Sequence, residues 1–402
     1  MSNSDSLALS PVAGIRLATV SAGIKKQDRK DLVVIELAEG TTVTGVFTRN
    51  AFCAAPVIVA RDHLSKASSR YLVINTGNAN AGTGEQGIQD ALATCQKVAE
   101  ETGCETEQVL PFSTGVIGEN LPLDRLLTGV TAACKVFDDN GWNDAAQGIM
   151  TTDTVAKGYS TSLDIAGKKV EVTGIAKGSG MIRPDMATML AYIATDAEVS
   201  QTDLQGCLKN AVARSFNRIT VDGDTSTNDA CILMATGQSG VEIKTGSNEY
   251  ELLVNAIQDI CIDLARAMVK DGEGATKLIN IVVEQGKSQQ ECLDVAYTVA
   301  HSPLVKTAFF ACDPNWGRIL AAVGRSGIED LDLNNIEIYL DDVCIVENGG
   351  RSPSYTESQG QAVMDKPEIT ITIKLSRGDF TETVWTCDFS YDYVKINAEY
   401  RT

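Results

Sequence analysis

Apolar positions along the chain switch between a period near two and a period near 3.6, and the two kinds of segment follow one another instead of clustering by type. Strand-like runs are predicted over 32–37, 41–48, 56–60 and 71–75, then a helix over about 85–101 with Ile88, Leu92, Cys95 and Val98 on one face. Helices are expected near 122–134 and 142–150. Val170, Val172 and Ile175 alternate as a strand that runs into a glycine-rich stretch, and Met189, Leu190, Tyr192 and Ile193 read as a buried strand. Beyond it the pattern predicts a helix over 203–215, strands over 219–221 and 231–235, a long helix over 250–269 and a strand over 278–283. A β-rich end carries 336–340, 369–375 and 384–389. No period of roughly 20–50 residues and no low-complexity linker interrupts the series. The fold is α/β or α+β, and periodicity does not choose between them.

Composition narrows the class of protein more than its activity. With 44% hydrophobic and 22% charged residues, 402 residues are ordinary globular usage and enough for two or more domains. Lys and Arg number 34 against 53 Asp and Glu, a formal charge of −19, which speaks against binding polyanions such as nucleic acid. No apolar run approaches a membrane span, and the first ten residues are polar, so a cytoplasmic protein is expected. Eleven cysteines are scattered, odd in number and without a CxxC pair, which predicts reduced thiols. His63 and His301 are the only histidines, so a histidine-rich zinc site is not expected and no metal is predicted. His63 is expected at a helix start and His301 at a helix end, as surface or capping residues rather than general bases.

Two glycine patterns resemble nucleotide loops without their context. Gly82-Thr83-Gly84-Glu85-Gln86-Gly87 is a literal GxGxxG, yet its first glycine lies too far beyond the preceding strand for the tight turn that cradles a pyrophosphate. Gly286-Lys287-Ser288 lacks the upstream glycine of a P-loop and reads as a turn and helix cap. Asp222, Asp224 and Asp229 stand among Gly and Thr as a tight turn or as paired carboxylates, and no chemistry is assigned to them.

Residues 177–197, KGSGMIRPDMATMLAYIATDA, offer more. Glycine lets the backbone take positive φ and approach a ligand, Pro184 biases Arg183 towards an extended conformation, and a buried strand begins beside Thr188. By itself this is either a glycine-rich hairpin ahead of a core strand or a place for chemistry. A threonine that became a chain terminus would carry its own base, because a free α-amine with a pKa near ~8 stands beside the hydroxyl it would activate.

The segment resembles the cleavage region of the glutamate N-acetyltransferases, also called ornithine acetyltransferases, of the arginine pathway. Further family segments are resembled in the same order by Asn75–Gly82 (NTGNANAG), Pro111–Gly118 (PFSTGVIG), Thr151–Thr154 (TTDT), Val221–Asp229 (VDGDTSTND), Asp271–Lys277 (DGEGATK), Asp313–Arg318 (DPNWGR) and Ile396–Thr402 (INAEYRT). Arg183, Asp185 and Glu399 depart from the residues usual in the family. The resemblance implies a layered α-β-β-α core of the self-cleaving N-terminal-nucleophile kind, with a smaller C-terminal α/β lobe from about residue 280. It implies cleavage between Ala187 and Thr188 into residues 1–187 and 188–402, with Thr188 as nucleophile and with the Thr114 hydroxyl and Gly115 N–H as oxyanion donors. Thr151, Thr152, Lys177, Glu273, Asn397 and Thr402 match substrate contacts, Lys177 for a carboxylate and Glu273 for an ammonium group.

The implied reaction moves acetyl from N-acetylornithine to glutamate through acetyl-Thr188, with no cofactor. Acetyl-CoA is a second donor in the bifunctional reading, and the two fragments assemble as a heterotetramer. The alternatives are a monofunctional transferase, an N-terminal-nucleophile aminopeptidase that releases acyl groups to water, and a self-cleaved binding module without turnover.

Overall fold

The computed structural model describes residues 7–165, 167–183 and 189–399 of the chain, and packing separates them into two units, Met1–Asn217 with Asp224–Met268 and Arg218–Gly223 with Val269–Thr402. The first unit runs β1 (Ile15–Val20), β2 (Leu32–Leu37), β3 (Thr42–Phe47), α1 (Ala55–Lys66), β4 (Tyr71–Asn78), α2 (Gly84–Thr102), β5 (Val109–Val116), α3 (Leu123–Ala133) and α4 (Trp142–Gly148). It continues through β6 (Lys157–Ile165), β7 (Lys168–Lys177), β8 (Leu190–Thr195), β9 (Glu198–Val199), α5 (Gln201–Arg214), β10 (Ala230–Ala235), β11 (Glu242–Ile243) and α6 (Asn248–Lys270).

Two sheets face each other in this unit, one ordered β1-β2-β4-β5 and one ordered β3-β10-β8-β7-β6. Leu17, Ile35, Ile74 and Phe112 of the first meet Ile175, Leu190, Tyr192 and Ile232 of the second in one buried core. Each such aliphatic side chain contributes about 1.5–3 kcal/mol by leaving water. The outer face of the first sheet is covered by Cys95 and Val98 of α2 and Leu126 and Val130 of α3. On the outer face of the second, Gly174 leaves room for α6, since a Cβ there would stand 2.9 Å from Ile260 Cγ2. Helix, sheet, sheet and helix are therefore stacked as an α-β-β-α sandwich. Both faces of β8 are covered, which is why its six residues are all buried and why the pattern there is a continuous apolar run.

The second unit contains β12 (Leu278–Gly286), α7 (Gln289–Ala300), α8 (Pro303–Phe310), α9 (Trp316–Gly324), β13 (Glu337–Leu340), β14 (Val343–Glu347), β15 (Gly350–Arg351), α10 (Glu357–Met364), β16 (Glu368–Lys374), β17 (Phe380–Cys387) and α11 (Tyr391–Ala398). Its sheet is ordered β15-β14-β13-β16-β12-β17. Ile369, Ile371 and Ile373 alternate with partly exposed residues along β16, so one face of that strand joins a core shared with Val295 and Val299 of α7.

Three sequence-based expectations change. Residues 56–60 are not a strand but the first turns of α1, where Pro56 takes a position at which its missing N–H costs nothing. A short apolar run carries no period long enough to tell the two apart. His63 lies in the last turn of that helix and is buried, its Nδ1 2.7 Å from the Val109 carbonyl oxygen. Residues 219–221 form no strand; Ile219 makes a single bridge to Trp385 within the second unit. All eleven cysteines are free of disulfides, and Ser288 caps α7 by accepting from the Glu291 N–H. Among the described residues, no helix is long and apolar enough to cross a membrane.

Candidate active site

Parallel pairing of β4 with β5 sets Thr76 opposite Thr114 and Gly77 opposite Gly115, and the register then slips at Asn78. Backbones approach so closely there that a Cβ on Gly115 would stand 2.3 Å from the Gly77 carbonyl carbon, and Gly115 itself has φ +136°. Both constraints require glycine. Side chains clamp the same strand ends: Ser113 Oγ donates to Asn75 Oδ1 at 2.6 Å, and Asn228 Nδ2 donates to the carbonyls of Ala79 and Ser113 at 2.6 and 2.9 Å. The NTGNANAG and STND motifs thus act as scaffolding for the pair Thr114 and Gly115.

Lys177, the last residue of β7, reaches this strand end, and its Nζ donates to Thr114 Oγ1 at 3.3 Å. Asp153 sits behind it with its side chain wholly buried. Its carboxylate accepts from Lys157 Nζ at 2.7 Å, from Thr151 N–H at 2.9 Å and from Gly178 N–H at 2.8 Å. Burial works to raise its pKa, but the charges of Lys157 and Lys177 and these hydrogen bonds outweigh it and hold the group well below the usual carboxylate range. A depressed pKa contributes stability that is present above the unfolded value and is lost only as pH falls through the folded one, so this contribution is complete at neutral and mildly acidic pH. Lys157→Met should leave a buried carboxylate without its ion pair and cost about 3–5 kcal/mol in denaturant unfolding at neutral pH. A loss below about 1 kcal/mol would contradict that account.

Thr151 is positioned twice, by its N–H on Asp153 and by Arg29 Nη2, which donates to the carbonyls of Met150 and Thr151 at 2.7 and 3.0 Å. Thr152 follows on a half-buried bend. At the approach to β10, burial pushes the Asp229 carboxyl well above the usual carboxylate range, against the opposing effects of the Ser226 hydroxyl, the Lys177 charge and the Met189 amide. Lys177 thus brings its ammonium group to the end of β5 beside Thr114, where it suits a carboxylate or a developing oxyanion.

Within the second unit, Asn397 Nδ2 on α11 donates to Glu273 Oε2 at 2.9 Å, joining two expected site residues that are 124 positions apart. Ser390 Oγ, the N-cap of α11, donates to the Gly274 carbonyl at 2.6 Å and so ties the helix to the loop that carries Glu273. The structure therefore brings together Thr114, Lys177 and, through Asp153, Thr151 in one unit, and Glu273 with Asn397 in the other. Ala187, Thr188 and Thr402 lie outside the described residues. Sequence reasoning passed over Asp153 and Lys157, although Asp153 stands inside the TTDT motif, because nothing local announces that their side chains are buried.

A layered α-β-β-α fold with hydroxyl donors and a lysine gathered at its strand ends is the architecture of an acyl-transferring enzyme. Its sequence is more specific still. The profile of the ArgJ family matches residues 16–402, and the chain belongs to that family. It is 57% identical over 396 residues to the arginine biosynthesis bifunctional protein ArgJ of Pseudomonas fluorescens (strain Pf0-1), covering 98% of both chains. Identity to the protein of the same description from Methylococcus capsulatus (strain Bath) is 55% over 401 residues, covering all of this chain and 98% of the other. A crystal structure of arginine biosynthesis bifunctional protein argJ from Bacillus halodurans is similar at a TM-score of 0.50 and 38% identity, covering 52% of this chain and 99% of that one.

Proposed function

We propose that the protein takes the acetyl group of N-acetylornithine onto Thr188 and passes it to glutamate, leaving ornithine and N-acetylglutamate. The observation that carries this reading is the hydrogen bond of Lys177 to Thr114 beside Gly115: a fixed hydroxyl donor, a glycine-only strand end and a cation stand together in a chain whose relatives are arginine biosynthesis proteins. The pathway begins with maturation. Attack of the Thr188 hydroxyl on the Ala187 carbonyl shifts the acyl group from nitrogen to oxygen, which breaks the peptide bond and frees the amine of Thr188, and hydrolysis of the resulting ester restores the hydroxyl and separates the fragments. That amine then takes the proton of Thr188 Oγ as the oxygen attacks the acetyl carbonyl, and it returns a proton to the departing ornithine amine.

Thr114 and Gly115 are the donors to the tetrahedral oxyanion, and Lys177 takes the substrate carboxylate. Thr151, Thr152, Glu273, Asn397 and Thr402 are further substrate contacts by their place in the family segments. The matched Bacillus chain is covered almost completely by about half of this one, the share that residues 188–402 represent, which supports a cut after Ala187. Two fragments held as a heterotetramer complete the reading. The bifunctional description of the relatives supports acetyl-CoA as a second donor.

Acetyl-labelled N-acetylornithine, supplied with and without glutamate, tests the reaction. Parallel double-reciprocal lines and one acetyl group on the fragment that begins with Thr188 are expected. Release of acetate at the same rate without glutamate would make the protein a hydrolase instead, and intersecting lines with no acetylated fragment would overturn the covalent route.

A further inference from the structure

The loop between β1 and β2 gathers positive charge that the steps above leave unused. Four of the seven residues 25–31 are basic in a chain whose formal charge is −19, so the loop differs in sign from the molecule as a whole. Its base is rigid. The buried carboxylate of Asp31 accepts from the N–H groups of Ala22 and Ile24, both at 2.6 Å, and Ile24 is itself buried. Two of the cations serve the fold: Arg29 holds the carbonyls of Met150 and Thr151, and Lys30 Nζ pairs with Asp144 at 2.5 Å. Lys25 and Lys26 are exposed, Asp28 is the one acidic residue exposed on the loop, and Lys26 Nζ forms no ion pair among the described residues. Arg125, exposed on α3, adds a guanidinium to the same loop and donates from Nη1 to the Gly23 carbonyl at 3.0 Å.

This loop lies at the strand end that carries the oxyanion donors. The Asp31 carbonyl accepts from Thr76 N–H at 2.9 Å, and a Cβ on Gly77 would stand 2.9 Å from Lys25 Cβ and 3.5 Å from Lys25 N. Gly77 is in turn opposite Gly115 in the β4–β5 ladder. N-acetylornithine, whose single carboxylate is balanced by an ammonium group, has no need of such a patch. Acetyl-CoA carries several phosphate charges, which the net negative charge of the rest of the chain repels, and a local basic surface beside the reacting end offsets that repulsion.

We propose that the β1–β2 loop docks the phosphate groups of acetyl-CoA and that Lys26 is a specificity-determining residue for this donor over N-acetylornithine. The proposal rests on the reading of acetyl-CoA as second donor. Lysine meets phosphate as a point charge, so the attraction acts before contact and weakens with salt. Phosphates held at the loop leave the flexible pantetheine arm to carry the thioester to the end of β5.

Glutamate acetylation by the full-length enzyme, measured with each donor in turn, tests this. Lys26→Glu should lower kcat/KM for acetyl-CoA about 10–30-fold and Lys26→Gln about 2–5-fold, mainly through KM, whereas Lys26→Arg stays within about twofold. With N-acetylornithine all three variants should keep kcat and KM within about twofold, which also shows that they fold. Added salt should lower kcat/KM for acetyl-CoA in the wild type and do so less in Lys26→Glu. The phosphoadenosine diphosphate portion of CoA should compete with acetyl-CoA, and more weakly in Lys26→Glu. Equal use of acetyl-CoA by Lys26→Glu and wild type, or losses of one size with both donors, overturns the proposal and leaves the second donor standing. A wild-type enzyme that takes acetyl from N-acetylornithine but not from acetyl-CoA ends the second-donor reading, and this proposal with it.

Discussion

A Thr188→Ala chain should run as a single uncut species of 42.8 kDa and transfer no acetyl group. Both losses have one cause. Alanine has no hydroxyl to attack the Ala187 carbonyl, so no ester forms and no amine is released; and without Oγ there is nothing to carry the acetyl group between substrates. Removing a covalent nucleophile from such a site costs on the order of 10⁴-fold or more in turnover. Thr188→Ser keeps the hydroxyl and should still cleave, which separates the need for an oxygen from the need for a β-branched side chain. Mass spectrometry of the denatured protein and a glutamate acetylation assay are sufficient. Cleavage of Thr188→Ala at the same bond would show that another group performs the cut.

Thr114→Ala isolates transition-state stabilisation from the nucleophile. One donor to the oxyanion should be lost, lowering kcat by about 10²–10³-fold, equivalent to about 2.7–4 kcal/mol, while the KM for N-acetylornithine changes little because the ground-state carbonyl makes weaker use of that donor. The rate is measured on the fully cleaved fraction, since the same donor would serve the tetrahedral intermediate of self-cleavage. Thr114→Ser retains the hydroxyl that Lys177 approaches at 3.3 Å and should stay within about tenfold of wild type. Full turnover in cleaved Thr114→Ala would make Thr114 a structural residue of the β5 end. Gly115 does not permit the parallel experiment, because any Cβ would strike the Gly77 backbone and displace the strand.

Elements with a long, regular pattern were legible in the sequence: the helix read over about 85–101 is α2 over Gly84–Thr102, and the apolar run at Leu190–Thr195 is a strand buried on both faces. Their period is a local property that survives any packing. The PFSTG segment likewise drew attention to the end of β5 before any fold was drawn, since a glycine forced by a backbone approach of 2.3 Å leaves its mark in sequence.

Packing decided the rest. Five apolar residues after Ala55 are as compatible with a strand as with the helix they form, and His63 looked like a surface residue because the Val109 carbonyl that receives it lies 46 positions away. Glu273 and Asn397 are 124 positions apart and meet only when α11 folds against the loop after α6. Asp153 and Asp229 are both aspartates in short polar motifs, and nothing in those motifs distinguishes them. The charges of Lys157 and Lys177 and the N–H groups of Thr151 and Gly178 hold the first well below the usual carboxylate range, while burial that so few partners do not offset pushes the second above it. Residue type and spacing determined which groups the chain carries and in what order; burial and the charges assembled around each group, which exist only in the folded chain, decided which way its ionisation shifts.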